Sequence, residues 1–462
     1  MPYAKMKTNW TKFLSDHRLG RKTKDLVTPG RSAFQQDFDR VVFSSAFRRL
    51  QDKAQVFPLA DNDYLRTRLT HSMECASIGR SLGGIAGTFI CRNFSPEGIL
   101  PNDIGAIVAA AALAHDIGNP PLGHSGEEAI RHWFRHSPVA AKLAERLTEE
   151  EQADFIWYEG NAQGFRVLSR LESPFNYGGM QLTCATLAAL CKYPCSAAKR
   201  GVLPGVEGKK YNFFRQDITL FEEVADATGM LPAGEEMWHR HPLAYLVEAA
   251  DDITYLIIDF EDAHKLKIIS YQEFESLILP MISDGYVERF VRGIKDNDQK
   301  VEFLRAKVLG VLVRQCSRAF AEYHDEIVSG ELKKPLAELI EAAPLLNQIK
   351  LRSMELIYTY PRAVEIQAGG FELTNGLLDT FVSAVAEATA DARGEAPASY
   401  QSRKLLQLLP KRYCDLSDPQ FCADTYSQLL SVLDYVTGMT DSHAVSLFKK
   451  IKGISLPGMT QI

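Results

Sequence analysis

The run Ile104-Gly105-Ala106-Ile107-Val108-Ala109-Ala110-Ala111-Ala112-Leu113-Ala114 contains no polar side chain. A stretch of that length and composition predicts a helix buried on all sides, and it ends on His115-Asp116. Residues 64–82 show a helical pattern with Leu69, Met73, Ala76 and Ile78 as apolar positions, and place Arg68, His71 and Glu74 on a shared face. After Pro120-Pro121 the chain restarts at Ser125-Gly126-Glu127-Glu128, which reads as a capping box with Ser125 as N-cap and Glu128 reaching back from N3. The helix that follows buries Ala129, Ile130, Trp133 and Phe134 and leaves His132 and His136 on the wet face. Further helices are predicted from Glu159, over 182–190 and over 247–263. On the last of these, Asp251, Tyr255 and Asp259 fall four residues apart on one stripe between apolar flanks, while Asp252 turns ~100° away. Beyond Lys265 amphipathic helices follow one another, with a polar stretch at 293–300 and a loop at 389–399. Two regions break the helical rhythm: a polar, Lys- and Arg-rich arm over 1–30 with little core of its own, and the basic stretch 199–215, which reads as a short hairpin. The class is mostly α with at most a few short strands.

The length, 462 residues, allows two or three domains, and the pattern divides at 1–60, 61–270 and 271–462. A formal net charge of −6 excludes wholesale attraction to nucleic acid or a membrane, so any polyanion is held by local basic groups. No stretch approaches the ~20 apolar residues of a membrane span and the first residues hold no apolar leader, so the expected location is cytoplasmic, with no membrane partner. Cys184, Cys191 and Cys195 are the nearest-spaced of eight cysteines; their spacing fits no zinc knuckle, and reduced thiols are expected. Arg48, Arg49 and Lys53 read equally as the solvated basic face of a helix or as phosphate or subunit contacts, and Lys411-Arg412 as solvated surface.

The chemistry gathers around His115-Asp116. Adjacent helical residues point ~100° apart and cannot enclose an ion, so further ligands come from elsewhere. His71 and Asp251 complete a set of two imidazoles and two carboxylates drawn from three helices. Such a mixed set suits Mg2+ or Mn2+, with Fe and Zn open. Arg68, Lys192 and the basic loop 199–215 supply positive charge for a polyphosphate, and Tyr255 and Asp259 are placed to pack on and hydrogen-bond a sugar. His124 precedes a helix start, where a mobile acid or base is useful, and the capping box leaves Glu127 free. Hydrolysis of a phosphate ester or anhydride is the natural class.

The order His71, His115-Asp116, Asp251 resembles the HD superfamily of metal-dependent phosphohydrolases. Longer words carry a closer resemblance: Arg68-Leu69-Thr70-His71-Ser72-Met73-Glu74, the stretch from Ala114 to Glu127, Glu159-Gly160-Asn161-Ala162-Gln163-Gly164, Lys192-Tyr193-Pro194, Glu248 to Tyr255, and Gly438-Met439-Thr440-Asp441. These are similar to bacterial deoxyguanosinetriphosphate triphosphohydrolases over nearly the whole chain. The resemblance implies a multi-helix HD-domain fold with additional C-terminal helices, and conversion of dGTP, with other dNTPs possible substrates, to deoxynucleoside and triphosphate. It implies metal ligands His71, His115, Asp116 and Asp251, with His124 as acid/base supported by Glu127. Gln55, Arg68, Asn161, Lys192, Tyr193, Tyr255 and Asp259 fall where the family contacts nucleotide, and Tyr255 beneath the sugar would disfavour a 2′-hydroxyl. Asn119 stands where relatives of broader specificity carry His, which resembles the dGTP-selective branch. The family is also usually a homo-oligomer, often hexameric, and some members are activated by single-stranded DNA. The competing readings are another HD nucleotide phosphohydrolase, or a nucleotide or single-stranded DNA sensor without activity.

Overall fold

Two long helices frame the molecule because their facing surfaces carry almost no side chain. In the computed structural model, which describes residues 10–23, 30–55, 65–357 and 359–454, the apolar run forms the helix Pro101–Ala114, buried from Ile107 to Ala114. Proline occupies its first turn, and the Asp103 carboxylate accepts the Leu100 N–H, which closes its start. Antiparallel to it runs the helix Arg68–Phe94, capped by Thr67 in reciprocal hydrogen bonds with Thr70. A Cβ at Gly83 would lie 2.9 Å from the Gly105 Cα, and one at Gly87 would lie 2.6 Å from the Pro101 carbonyl. The two backbones are therefore in direct contact. Stepping four residues at a time from Gly87 to His71 on one helix is matched by a similar climb from Pro101 to His115 on the other. That register brings the two histidines opposite each other.

The helices Ala33–Phe43, Cys184–Leu190 and Ala244–Lys265 pack on the remaining sides of Pro101–Ala114. Every side of that helix thus meets protein, and an alanine-rich surface lets the neighbours come close. Ala244–Lys265 also packs on Arg68–Phe94 and on Asn297–Glu322, and from Ala244 to Ala250 it is wholly buried.

Two apolar cores result. The first runs from Trp10 to Ile357 and contains the helices just described. The second joins Ile130, Trp133, Phe134, Phe155, Tyr158, Tyr211 and Phe214 to the C-terminal helices Pro361–Ala392 and Thr425–Thr437. Polar groups are buried where these parts meet. The Arg166 guanidinium donates to both oxygens of Asp434, at 2.9 to 3.0 Å, and to Asp217 at 3.2 Å. Gln163 adds a bond to Asp434 at 2.8 Å. Asp154 Oδ2 accepts from the Tyr426 hydroxyl at 2.6 Å and from the Arg215 N–H at 2.8 Å.

Among the described residues there are 22 α-helices and one two-stranded antiparallel sheet, so the mostly α class is what forms. No helix among them is long and apolar enough to cross a membrane. The strands are Pro232–Gly234 and Met237–Trp238, not the basic stretch 199–215 expected to form a hairpin. That stretch is held by Tyr211, Phe213 and Phe214, each fully buried, so side-chain anchoring replaces strand pairing. The N-terminal arm is also more than an arm: Trp10, Phe13, Leu14 and Leu19 are core residues, and Arg18 is buried against Asp37 at 2.6 Å. Their spacing was hidden among lysines and arginines. Arg48 is exposed as expected, but Lys53, assigned to the same face, is buried. The loop expected at 389–399 begins only after Ala392, where a 32-residue helix ends.

Burial raises the Asp154 carboxyl to about 7, the bonds from Tyr426 and Arg215 opposing the shift. The folded state thus prefers the protonated acid, and the stability this group contributes is lost as pH rises from about 4 through 7. Asp154→Asn retains an acceptor for both donors and does not titrate. Its stability relative to wild type should therefore rise by on the order of a few kcal/mol between pH 4 and 8. Thermal or denaturant unfolding of both proteins across that range checks this, and parallel curves would refute it.

Candidate active site

His71 lies in the first turn of its helix and His115 just past the end of the antiparallel one, so the shared register places both rings at one level. Their centroids are 5.3 Å apart. Asp251, from the helix Ala244–Lys265, sets Oδ1 3.3 Å from His71 Nε2 and 3.4 Å from His115 Nε2. Asp116 Oδ1 lies 3.5 Å from His115 Nε2. Donors about 2.1 Å from one ion at right angles stand roughly 3 Å apart, so these separations fit neighbouring ligands. The His115 Nδ1–H donates to the Ala112 carbonyl at 2.7 Å, which leaves the Nε2 lone pair for an ion. His71, His115, Asp116 and Asp251 are thus brought together as expected. The donor chemistry fits a divalent metal.

The outer oxygens of both carboxylates are engaged by cations. Arg68 donates to Asp116 Oδ2 at 2.7 Å, and Lys192 donates to Asp251 Oδ2 at 2.8 Å. Burial opposes ionisation of Asp116, but Arg68, His115 and His71 outweigh it and hold the carboxyl far below its usual range. Asp251 is likewise held low, burial being outweighed by Lys192 and His115. Burial disfavours the charged form of His115, yet Asp116 and Asp251 raise its ring to about 9.

A cavity of about 390 Å³ opens over this cluster. Gln55, Arg68, Asn161, Lys192, Tyr193 and Tyr255 line it, as do all four candidate ligands, His124 and Glu127. Asp259 does not: one turn beyond Tyr255 its helix has entered the core, where the residue is buried. Asp252, expected to face elsewhere, lines the same cavity, because the wall is broad enough to collect side chains ~100° apart. Glu74, expected beside His71, turns instead to Arg66 at 3.2 Å. Glu74 stands only ~60° around the axis from His71, so it is the Arg66 charge, not helix geometry, that draws it away.

His124 stands on the rim. Its Nδ1 is 2.9 Å from Glu127 Oε2, and its side chain is 83% exposed while that of Glu127 is 4% exposed. Glu127 Oε1 accepts the Gly160 N–H at 2.7 Å. Burial acts against this carboxylate, but His124, Lys210 and Gly160 together lower it to about 2. The predicted capping box does not form: the helix begins at His124, its N-cap is Gly123 with φ of 57°, and Glu128 pairs with Arg131. Glycine there admits the left-handed turn that aims His124 outward.

Three contributors escaped the sequence. Lys210 lines the cavity and pairs with Glu159 at 2.8 Å; its basic stretch was noted, but no spacing distinguished it from its neighbours. Gln367 reaches the cavity from the C-terminal helix Pro361–Ala392, and no local pattern signals that. Cys75 gathers with His71, His115 and Asp251, its Sγ 3.3 Å from His71 Nε2. One helical turn after His71, it could have been found by spacing. Burial and the nearby Asp251 charge push its thiol well above the usual range. It packs as a neutral thiol under the His71 ring.

This fold and site define an HD-domain protein, and the HD domain family model matches residues 68–171. The chain is 39% identical over 453 residues to the deoxyguanosinetriphosphate triphosphohydrolase-like protein of Pseudomonas aeruginosa (strain LESB58), covering 97% of this chain and all of that one. It is 38% identical to the protein of the same description from Synechocystis, over 97% of this chain and all of the relative. It is 28% identical to the deoxyguanosinetriphosphate triphosphohydrolase of Salmonella arizonae, over 97% and 98%. The chain belongs to the deoxyguanosinetriphosphate triphosphohydrolase family of metal-dependent HD phosphohydrolases.

His115→Ala should lose the bound divalent ion, while Cys75→Ser should keep it at wild-type stoichiometry. Metal content after dialysis, measured by elemental analysis, checks both. Loss of metal in Cys75→Ser would make the sulfur a ligand.

Proposed function

We propose that the enzyme hydrolyses dGTP, with other dNTPs as secondary substrates, to deoxynucleoside and inorganic triphosphate, using Mg2+ or Mn2+. The observation that carries this reading is the His124–Glu127 pair on the rim of the cavity that also holds the convergent donors and three cations. Water adds to the α-phosphorus, the bond from that phosphorus to O5′ breaks, and a proton must reach O5′ as the nucleoside leaves. His71, His115, Asp116 and Asp251 would hold a divalent ion, which would supply polarisation of a phosphoryl oxygen and a more acidic water. His124 is suited to move the proton: Glu127 takes its Nδ1–H and leaves Nε2 to face the cavity. Arg68, Lys192 and Lys210 hold the triphosphate, spending charge that in the free protein is directed at carboxylates. Gln55, Asn161 and Tyr193 complete the nucleotide contacts, and Tyr255 lies beneath the sugar, where a 2′-hydroxyl would crowd it.

Asn119 bears on base choice through the loop it belongs to: its amide donates to Asp116 Oδ1 and its side chain lines the cavity. The same reading includes a homo-oligomer, hexameric by the family resemblance, and single-stranded DNA as activator, with the exposed Arg48, Lys411 and Arg412 as contributors.

Purified protein with Mn2+ or Mg2+ should convert dGTP to deoxyguanosine and triphosphate faster than it converts the other three dNTPs. Chromatography of the products decides this, and dGMP with pyrophosphate would overturn it. His124→Ala should retain its metal and slow turnover by roughly 10²–10⁴-fold. Equal loss of metal and rate would contradict the division of roles between His124 and the ligands.

A further inference from the structure

The segment Ile117-Gly118-Asn119-Pro120-Pro121-Leu122-Gly123 joins a metal ligand to the rim imidazole, yet it has few bonds of its own. Its two prolines lack N–H groups, the Ile117 and Asn119 N–H groups reach back to the Ala114 and Asp116 carbonyls at 3.1 Å, and over its second half only the Gly123 N–H makes a local bond, to the Pro120 carbonyl at 3.1 Å. Leu122 holds φ at 62°, a conformation disfavoured for a residue with a Cβ. Something outside the loop must keep it there.

Two buried charged groups do so. Asp441 Oδ1 accepts the Leu122 N–H at 2.8 Å and its Oδ2 accepts the Ala54 N–H at 2.9 Å. Lys53 Nζ donates to the Asn119 carbonyl at 2.5 Å and to the Thr437 carbonyl at 2.9 Å. The Lys53 carbonyl in turn accepts the Arg68 N–H at 2.9 Å. Asp441 is 2% exposed and Lys53 3%, and neither lines the cavity. Thr437 ends the helix Thr425–Thr437, and Asp441 begins the helix Asp441–Ile451. Three segments far apart in sequence are thus tied at one point: 53–55, which presents Gln55; 119–122, which leads to His124; and 437–441. Burying a carboxylate and an ammonium is an expensive way to gain stability, and it is better suited to fixing a register.

We propose that Asp441 and Lys53 are positioning residues for the reaction, through which the C-terminal helices set the placement of His124 and Gln55. The claim about rate rests on the function proposed above; the claim about the loop does not. Neither residue touches a reacting atom, so the expected signature is a loss of kcat much larger than any rise in KM, without loss of metal.

The test compares Asp441→Ala, Asp441→Asn and Lys53→Met with wild type in the full chain. The asparagine variant keeps one acceptor and turns a donor toward the other N–H. For Asp441→Ala and Lys53→Met we expect kcat to fall by roughly 10²-fold, and for Asp441→Asn by about tenfold. Metal content should stay within about twofold, since His71 and Asp251 lie on helices outside the clamp and His115 directly follows the buried helix Pro101–Ala114, and KM should rise no more than severalfold, through Gln55 alone. Hydrogen exchange should accelerate over 117–123 and remain unchanged over 104–114. Wild-type kcat and wild-type exchange over 117–123 in Asp441→Ala would overturn the proposal, as would a rate loss accompanied by equal loss of metal. If Asp441→Ala does not fold, the asparagine variant decides by the same readings. If wild type hydrolyses no dNTP, the functional reading fails, and exchange over 117–123 alone judges the clamp.

Discussion

Backbone contact between two antiparallel helices is the constraint on which the site depends. Ordinary helices pack with axes 8–10 Å apart, with side chains between them. Here Gly83 and Gly87 remove the side chains from one face, and small residues line the other, so the histidines at the open end are near enough to share an ion. Metal–ligand distances tolerate about 0.2 Å of error. A methyl group inserted at Gly83 would separate the backbones by more than that. The spacing of the candidate ligands is therefore set well inside the protein, several turns from where an ion would sit.

The same cations serve two parties. Arg68 and Lys192 hold the outer oxygens of Asp116 and Asp251 and so turn the inner oxygens toward the histidines. They also form the wall against which a polyphosphate would rest. Arriving phosphates would compete for these donors and loosen the carboxylates that face the metal. Ligand geometry and substrate occupancy would in this way be coupled through two side chains, as outer-shell partners of metal ligands commonly are.

Much of this was legible in the sequence because it is local. An alanine-rich run ending in His115-Asp116 announces both burial and chemistry, and the helical stripe at Asp251 and Tyr255 supplies its partner. What stayed hidden depends on packing across long separations. Nothing near Gln367 says that its helix crosses the cavity, and Lys53 looks like its arginine neighbours until the chain's end folds over it. The capping box failed for a different reason. Ser125 and Glu128 satisfy the pattern, but Gly123 starts the helix earlier and Arg131 takes the glutamate. The mistaken hairpin at 199–215 shows the same limit: aromatic side chains can pin an irregular loop as firmly as strand pairing does.

The second apolar core has a consequence for how the polypeptide is made. Trp133, Phe134, Tyr211 and Phe214 are covered in part by Leu373–Val385 and Leu429–Val436, which leave the ribosome much later. Until those helices arrive, the nascent chain carries a greasy, half-built surface beside an otherwise foldable first core. Contacts of such long separation slow folding, and the exposed aromatics invite self-association meanwhile. A chain interrupted near its end would therefore be sticky as well as incomplete, and a natural client for chaperones and proteases.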